Sequence, residues 1–239
     1  MKKGWKITGM ITGTIFVIVL FRGCVMSPYL IPSSGMENSL YEGERILVNK
    51  WSYGLRLPFM AWLGYHRWQE KPVQKEDIIV FNNPANLSER ILSNREVFIG
   101  RCIGMPGDTL LMDSLFSAIP DDSIEARPFI IPGKGKAVRV YPWNKVLLCN
   151  TLILHEKKQA EVKNDTLYIE GKPALHCYFT KDYHWVEANN SINLCDSRMF
   201  GLVPKDHIIG KASLIWFSKE AGTGLFEGYR RNRMWTKVR

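Results

Sequence analysis

Short apolar runs separated by turn residues dominate this chain, and that pattern confines it to a mainly β fold. Asp77–Asn82 (DIIVFN) is closed by Asn83-Pro84, and Val97–Ile103 runs into Gly104-Met105-Pro106-Gly107-Asp108, a tight-turn sequence. Ile46–Lys50, Thr109–Met112, Ala137–Tyr141, Val146–Leu148, Tyr183–Glu187 and Ile208–Phe217 are further expected strands. Asp165–Ile169 followed by Glu170-Gly171-Lys172 reads as a hairpin. Asn86–Arg95 is polar and fits a short helix or a loop. Helical periodicity is scarce beyond the N-terminal segment, so the strands are expected to pair antiparallel.

The 239 residues suffice for one sizeable domain, with or without an insert, plus an anchor. The net charge of +9 is concentrated partly at Lys2, Lys3 and Lys6 and partly in the tail YRRNRMWTKVR. Basic ends suit contact with anionic lipid; no nucleic-acid motif accompanies them, and no nucleic-acid partner is expected. The five cysteines (Cys24, Cys102, Cys149, Cys177 and Cys195) form no CxxC pair and no metal-ligand spacing. Neither a metal nor a cofactor is expected. Outside the cytoplasm one or two disulfides could form, and Cys149–Cys177 is one such pairing.

Three lysines precede Ile7–Phe21, which carries no charge; Arg22 interrupts, and apolar character resumes through Cys24–Met26. No small-residue cleavage site follows, so residues 1–27 are expected to be an uncleaved transmembrane helix rather than a signal peptide. The lysines place the N-terminus inside and the remaining chain outside the cytoplasm. Pro28 and Pro32 stop any helix that would continue from the membrane. Trp51–Gly64 is aromatic and apolar, either core or a patch facing lipid.

The stretch Ile31–Gly54 (IPSSGMENSLYEGERILVNKWSYG) is the organising element of the chain. A serine-rich elbow beside a membrane, running into a strand, is a place where a nucleophile could be held. Together with other stretches it resembles bacterial signal peptidase I, the membrane-bound serine protease family that removes signal peptides from exported proteins. The resemblance rests on Ile31-Pro32-Ser33 with Met36, on Gly43–Gly54 and on Glu76–Phe81 (EDIIVF). It continues in Arg101–Asp108 (RCIGMPGD), Asp196-Ser197-Arg198, Gly201–Pro204 and Gly210-Lys211-Ala212. The resemblance implies a signal-peptidase-like antiparallel β core over 28–119 and 181–239, interrupted by a variable inserted β subdomain over 120–180. It also implies the bacterial cytoplasmic membrane as location, with signal peptides or exported preproteins as partners.

The chemistry of that family needs a serine nucleophile, a lysine held neutral by burial as general base, and donors for the oxyanion. Registered on Pro32 and Met36, the nucleophile position is Gly35; the base position, directly before Arg101, is Gly100. Ser33 stands where the family places its oxyanion-hole hydroxyl, and Asp196 and Arg198 keep the structural box. Ala188, Asn189 and Ser191 replace the Gly, Asp and first Arg of that box, and Leu194 replaces the serine near the base. Tyr29, Ile31, Leu40, Phe98 and Ile99 fall by register on the apolar substrate groove; core packing is the alternative for the same residues. The expectation is therefore a homologue without its dyad that keeps a peptide-binding or regulatory role, alone or with an active signal peptidase. Two alternatives stay open: an active peptidase using Ser34, and an envelope structural or lipid-surface protein. None of His66, His155, His176, His184 and His207 stands in a catalytic context.

Overall fold

The computed structural model describes residues 9–15, 18, 25–56, 65–86, 88–111, 127–190 and 195–239. The fold is mainly β. In chain order, β1 (Met26–Leu30) and β2 (Arg45–Asn49) precede a small ribbon, β3 (Leu55–Arg56) with β4 (Arg67–Trp68). Then come β5 (Ile78–Asn82), β6 (Val97–Gly104), β7 (Thr109–Leu111), β8 (Pro128–Ile130) and β9 (Ala137–Arg139). Helix α1 (Lys145–Glu156) leads into the meander β10 (Ala160–Lys163), β11 (Thr166–Ile169) and β12 (Lys172–Pro173), and β13 (His176–Tyr178) returns to pair with β9. The chain closes through β14 (Tyr183–Glu187), α2 (Ser197–Phe200), β15 (Val203–Pro204), β16 (Ile208–Phe217) and β17 (Thr236–Lys237).

One eight-stranded sheet carries the architecture, in the order β1-β2-β16-β5-β6-β14-β15, with β17 on β16. The pairings within it are antiparallel. β5 is buried along its whole length because both faces of the sheet are covered. Ile78 and Val80 join Ile31, Met36, Leu40, Ile46, Val48 and Ile215 on one side, while Ile79 and Phe81 join Tyr53, Cys102, Val186 and Phe200 on the other. A third cluster, with Phe129, Leu148, Leu152, Phe179, Tyr183 and Trp185, packs α1 and the strands around it against β14.

Most expected strands are observed within a residue or two of their predicted ends. Val146–Leu148 is not a strand; it lies inside α1. Leu148, Cys149, Leu152 and His155 of that helix are buried at intervals of three and four, and a helix is the conformation that places such a set on one face. Cys149 and Cys177 are free buried thiols of one cluster, so the suggested bridge does not form. No helix among the described residues is long and apolar enough to cross a membrane. Most of the expected anchor, including Arg22, lies outside the described residues, as do residues 57–64 of the aromatic stretch and residues 112–126.

Candidate functional site

The elbow is a loop closed at its base by backbone hydrogen bonds. Ile31 N–H donates to Glu44 O at 2.8 Å, and Gly43 N–H donates to Ile31 O at 3.0 Å. Pro32 ends the strand direction, Ser33 is extended, and Ser34–Met36 form a single 3-10 turn. Met36 and Leu40, four residues apart, are buried in the sheet's inner cluster and hold the turn down. Leu40 N–H donates to Met36 O at 2.7 Å. Gly43 must be glycine: its φ is +83°, and a Cβ there would lie 2.1 Å from Lys219 O.

Gly35, where the resemblance leads one to expect the nucleophile, is buried and offers its backbone: its carbonyl accepts from Asn190 N–H at 3.0 Å. Beside it Asn189 Nδ2 donates to Glu37 O at 2.9 Å and to Ser39 Oγ at 3.0 Å. Arg101 donates to the same Ser39 Oγ at 2.7 Å, to Glu76 O at 3.2 Å, and lies 3.6 Å from the Glu76 carboxylate. The box after β14 is thereby tied to the elbow. Asp196 braces the box: it accepts from Ala188 N–H and Arg198 N–H, each at 3.0 Å, and from the Arg198 guanidinium. Those carboxylate bonds, net of burial, raise the Arg198 guanidinium above its ordinary value. Ser197 Oγ accepts from Val186 N–H at 2.9 Å and fixes the end of β14.

Gly100, where the resemblance leads one to expect the base, is buried in β6 opposite Ile79. A Cβ built on it would lie 2.6 Å from Val186 Cγ1 and 3.1 Å from Glu187 O. The space in which a longer side chain would begin is therefore occupied by β14. That approach occurs beside an irregularity in the β14–β6 register between Trp185 and Val186.

The apolar positions divide between the two faces of the sheet. Ile31 and Leu40 are core, and Tyr29 and Ile99 pack half-buried against the same cluster. Phe98 joins the other cluster, stacked on Phe200 with ring centres 5.9 Å apart and edge-on to Phe81. Alternation along β6 produces that split. Ser33 is exposed and Ser34 half-buried, and neither hydroxyl has a hydrogen-bond partner among the described residues. Ser191 and Leu194 lie outside the described residues.

Among the described residues, Cys102 near the site is not poised to react. Burial, and then the carboxylates of Asp77, Asp108 and Glu76, push the Cys102 thiol up to about 12, so it stays protonated at neutral pH. His155 and His207 sit together, ring centres 5.5 Å apart, where α1 meets the start of β16. Sequence reading missed the structural roles of Ser39, Val186, Asn189 and Asn190. Only Asn189, at the head of the box after β14, carried a signal, and it registered as a departure rather than a tether.

The chain matches the family model described as signal peptidase, peptidase S26, over residues 5–217. It is 29% identical over 213 residues to signal peptidase I of Pseudomonas aeruginosa, covering 85% of this chain and 69% of that protein. Against signal peptidase I of Buchnera aphidicola subsp. Schizaphis graminum the identity is 27% over 240 residues, covering 87% and 73%. Against that of Haemophilus influenzae it is 27% over 259 residues, covering 93% and 72%. With the family matched across most of its length, this chain belongs to the signal peptidase S26 family.

Proposed function

We propose that this chain is a membrane-anchored signal peptidase I homologue of the signal-peptide processing system that binds an extended peptide without cleaving it. The observation that carries this reading is the pair of glycines. Gly35 has no hydroxyl to attack a carbonyl, and Gly100 has no amine to take its proton. The volume a base would enter at Gly100 is filled by Val186 and Glu187 O. Ser34 carries a hydroxyl one residue away, but no side chain among the described residues is hydrogen-bonded to it, and an unassisted serine is a poor nucleophile.

Peptide binding needs less. Among the described residues β1 pairs with a strand on one side only, and a bound peptide would add as the next strand. Tyr29 and Ile99 flank the elbow half-buried, with Ile31 and Leu40 beneath them, a surface suited to small apolar side chains. Phe98, on the other face, is not part of the proposed groove. The apolar segment behind three lysines supplies the proposed single-pass anchor with the N-terminus inside, and 120–180 is proposed as an insert in the core. A regulatory role beside an active relative is the same binding activity put to use.

The test uses the full-length protein in detergent with a fluorescent signal-peptide substrate. Saturable binding with cleavage no faster than buffer is expected. Cleavage that Ser34→Ala abolishes would replace this reading with that of an active peptidase; cleavage that survives Ser34→Ala would point to another nucleophile.

A further inference from the structure

A basic cavity of about 450 Å3 adjoins the elbow on the side of the C-terminal segment. Three pieces of chain wall it: Asn38 and Ser39 after the elbow, Ile215 of β16, and the tail from Asn232 to Arg239. Among the described residues no acidic side chain lines it. The nearby Glu44 is fully buried and committed elsewhere. It accepts from Arg233 Nε at 2.6 Å, from Ser218 Oγ at 2.8 Å and from Tyr41 N–H at 3.0 Å. Glu44 thus balances Arg233, the one other cation of the wall.

Lys237 and Arg239 are left over. Among the described residues neither side chain has an ion-pair partner, and the side-chain amides of Asn38 and Asn232 make no hydrogen bond. Behind the wall Arg101, itself ion-paired with Glu76, donates to Ser39 Oγ at 2.7 Å and to Arg239 O at 3.5 Å and holds the two sides together. Ser39 Oγ accepts from both Arg101 and Asn189, which leaves its own proton to donate. The cavity therefore presents two unbalanced cations and three neutral groups able to donate.

A polyatomic anion completes such a set. An arginine fork and a lysine point charge together suit a phosphate oxyanion, with the amides and a hydroxyl left for its remaining oxygens. The volume is of the size that holds a small ligand. We infer that this cavity is a phosphate-binding site, taking free phosphate or the phosphodiester of a lipid headgroup. Its occupancy is independent of whether the chain cleaves peptides.

The full-length protein is titrated with inorganic phosphate at ionic strength held constant with chloride, following its melting temperature. In parallel, held in detergent, it is titrated with short-chain phosphatidylglycerol or short-chain phosphatidylcholine. Saturable stabilisation by phosphate identifies the free ion as a ligand, and saturable stabilisation by the phosphatidylglycerol but not the phosphatidylcholine identifies the headgroup. Either result supports the site if Lys237→Ala with Arg239→Ala weakens it by about tenfold or more, the loss expected for charge-assisted hydrogen bonds. Asn38→Asp, which adds a carboxylate to the wall and removes no cation, should weaken it comparably. Lys219→Ala, a cation stacked on Tyr229 outside the cavity lining, should leave it unchanged. Absence of saturable binding to both probes, or equal loss in Lys219→Ala, overturns the inference.

Discussion

A single methyl group on Gly100 should destabilise this chain, and trimming Val186 should cancel much of the loss. The Cβ of Gly100→Ala would sit 2.6 Å from Val186 Cγ1 and 3.1 Å from Glu187 O. Carbon atoms rest about 3.5–4.0 Å apart, so β6 and β14 must separate by roughly 1 Å or Val186 must leave its position. Val186 is fully buried among Phe81, Cys102 and Phe200, and Ser197 Oγ holds its backbone N–H, so neither adjustment is free. Overpacking of this kind costs about 1–3 kcal/mol, and each kcal/mol lowers the melting temperature of a chain this size by about 2–4 °C. Val186→Ala alone leaves a cavity and costs a similar amount, about 1–3 kcal/mol. Combined, the new methyl group fills part of the space the valine gives up, so the double variant should be more stable than the sum of the single costs by about 1–2 kcal/mol. Urea unfolding of the four proteins measures all the terms. A Gly100→Ala chain that unfolds with the wild type, or strictly additive costs, would mean that position 100 is open space and that packing does not exclude a base there.

Introducing Gly35→Ser and Gly100→Lys together with Val186→Ala should raise cleavage of a signal-peptide substrate by about three orders of magnitude or more over the unmodified chain, because nucleophile and base act as a unit; an unmodified chain that already matches the triple variant would refute the proposed inactivity. Arg233→Ala should cost about 3 kcal/mol in urea unfolding, since it strands the buried Glu44 carboxylate without its cation. Burial opposes ionisation of Glu44, but hydrogen bonds from Arg233, Tyr41 N–H and Ser218 outweigh it and keep the carboxyl below its ordinary 4.5. The stabilisation is therefore complete above that pH, is lost as pH falls below it, and should be absent from the acid limb of Glu44→Gln. His155 is held down to about 3, by burial first and then by His207 and Lys181, with Arg95 adding to and Asp206 opposing the effect. Its neutral form is the folded one, so stability should fall by up to about 1.4 kcal/mol per pH unit below its ordinary 6.5, and His155→Leu should flatten that slope.

The parts of this protein legible in its sequence are those specified locally. Asp77–Asn82 and Val97–Ile103 announce themselves as strands through β-branched runs ended by turn residues, and both are found in place. The helix over Lys145–Glu156 is hidden because the exposed Asn150 and the buried Thr151 interrupt its apolar sequence, and a three-residue apolar run then passes for a strand. Thr151 is accommodated by the helix itself, its hydroxyl donating to Leu147 O at 2.7 Å. A glycine at 100 is visible in the sequence; that Val186 occupies the space beside it is not, because a register irregularity between strands far apart in sequence places that valine.

The same contrast explains how this scaffold is held with glycine at 35 and at 100. The elbow is positioned by Met36 and Leu40 in the core, by the Ser39 hydroxyl under Arg101 and Asn189, and by the Gly35 carbonyl under Asn190. The box that supplies Asn189 and Asn190 is braced by Asp196 and Arg198. Catalysis would draw on side chains at 35 and 100, and none of these supports passes through either one. Support and reaction use separate atoms: the backbone at 35 serves the first, and a side chain would serve only the second. A side-chain hydroxyl at 35 would add to none of these hydrogen bonds, and the bare backbone at 100 lets β14 approach β6. A base introduced at 100 would therefore need Val186 to move before it could enter.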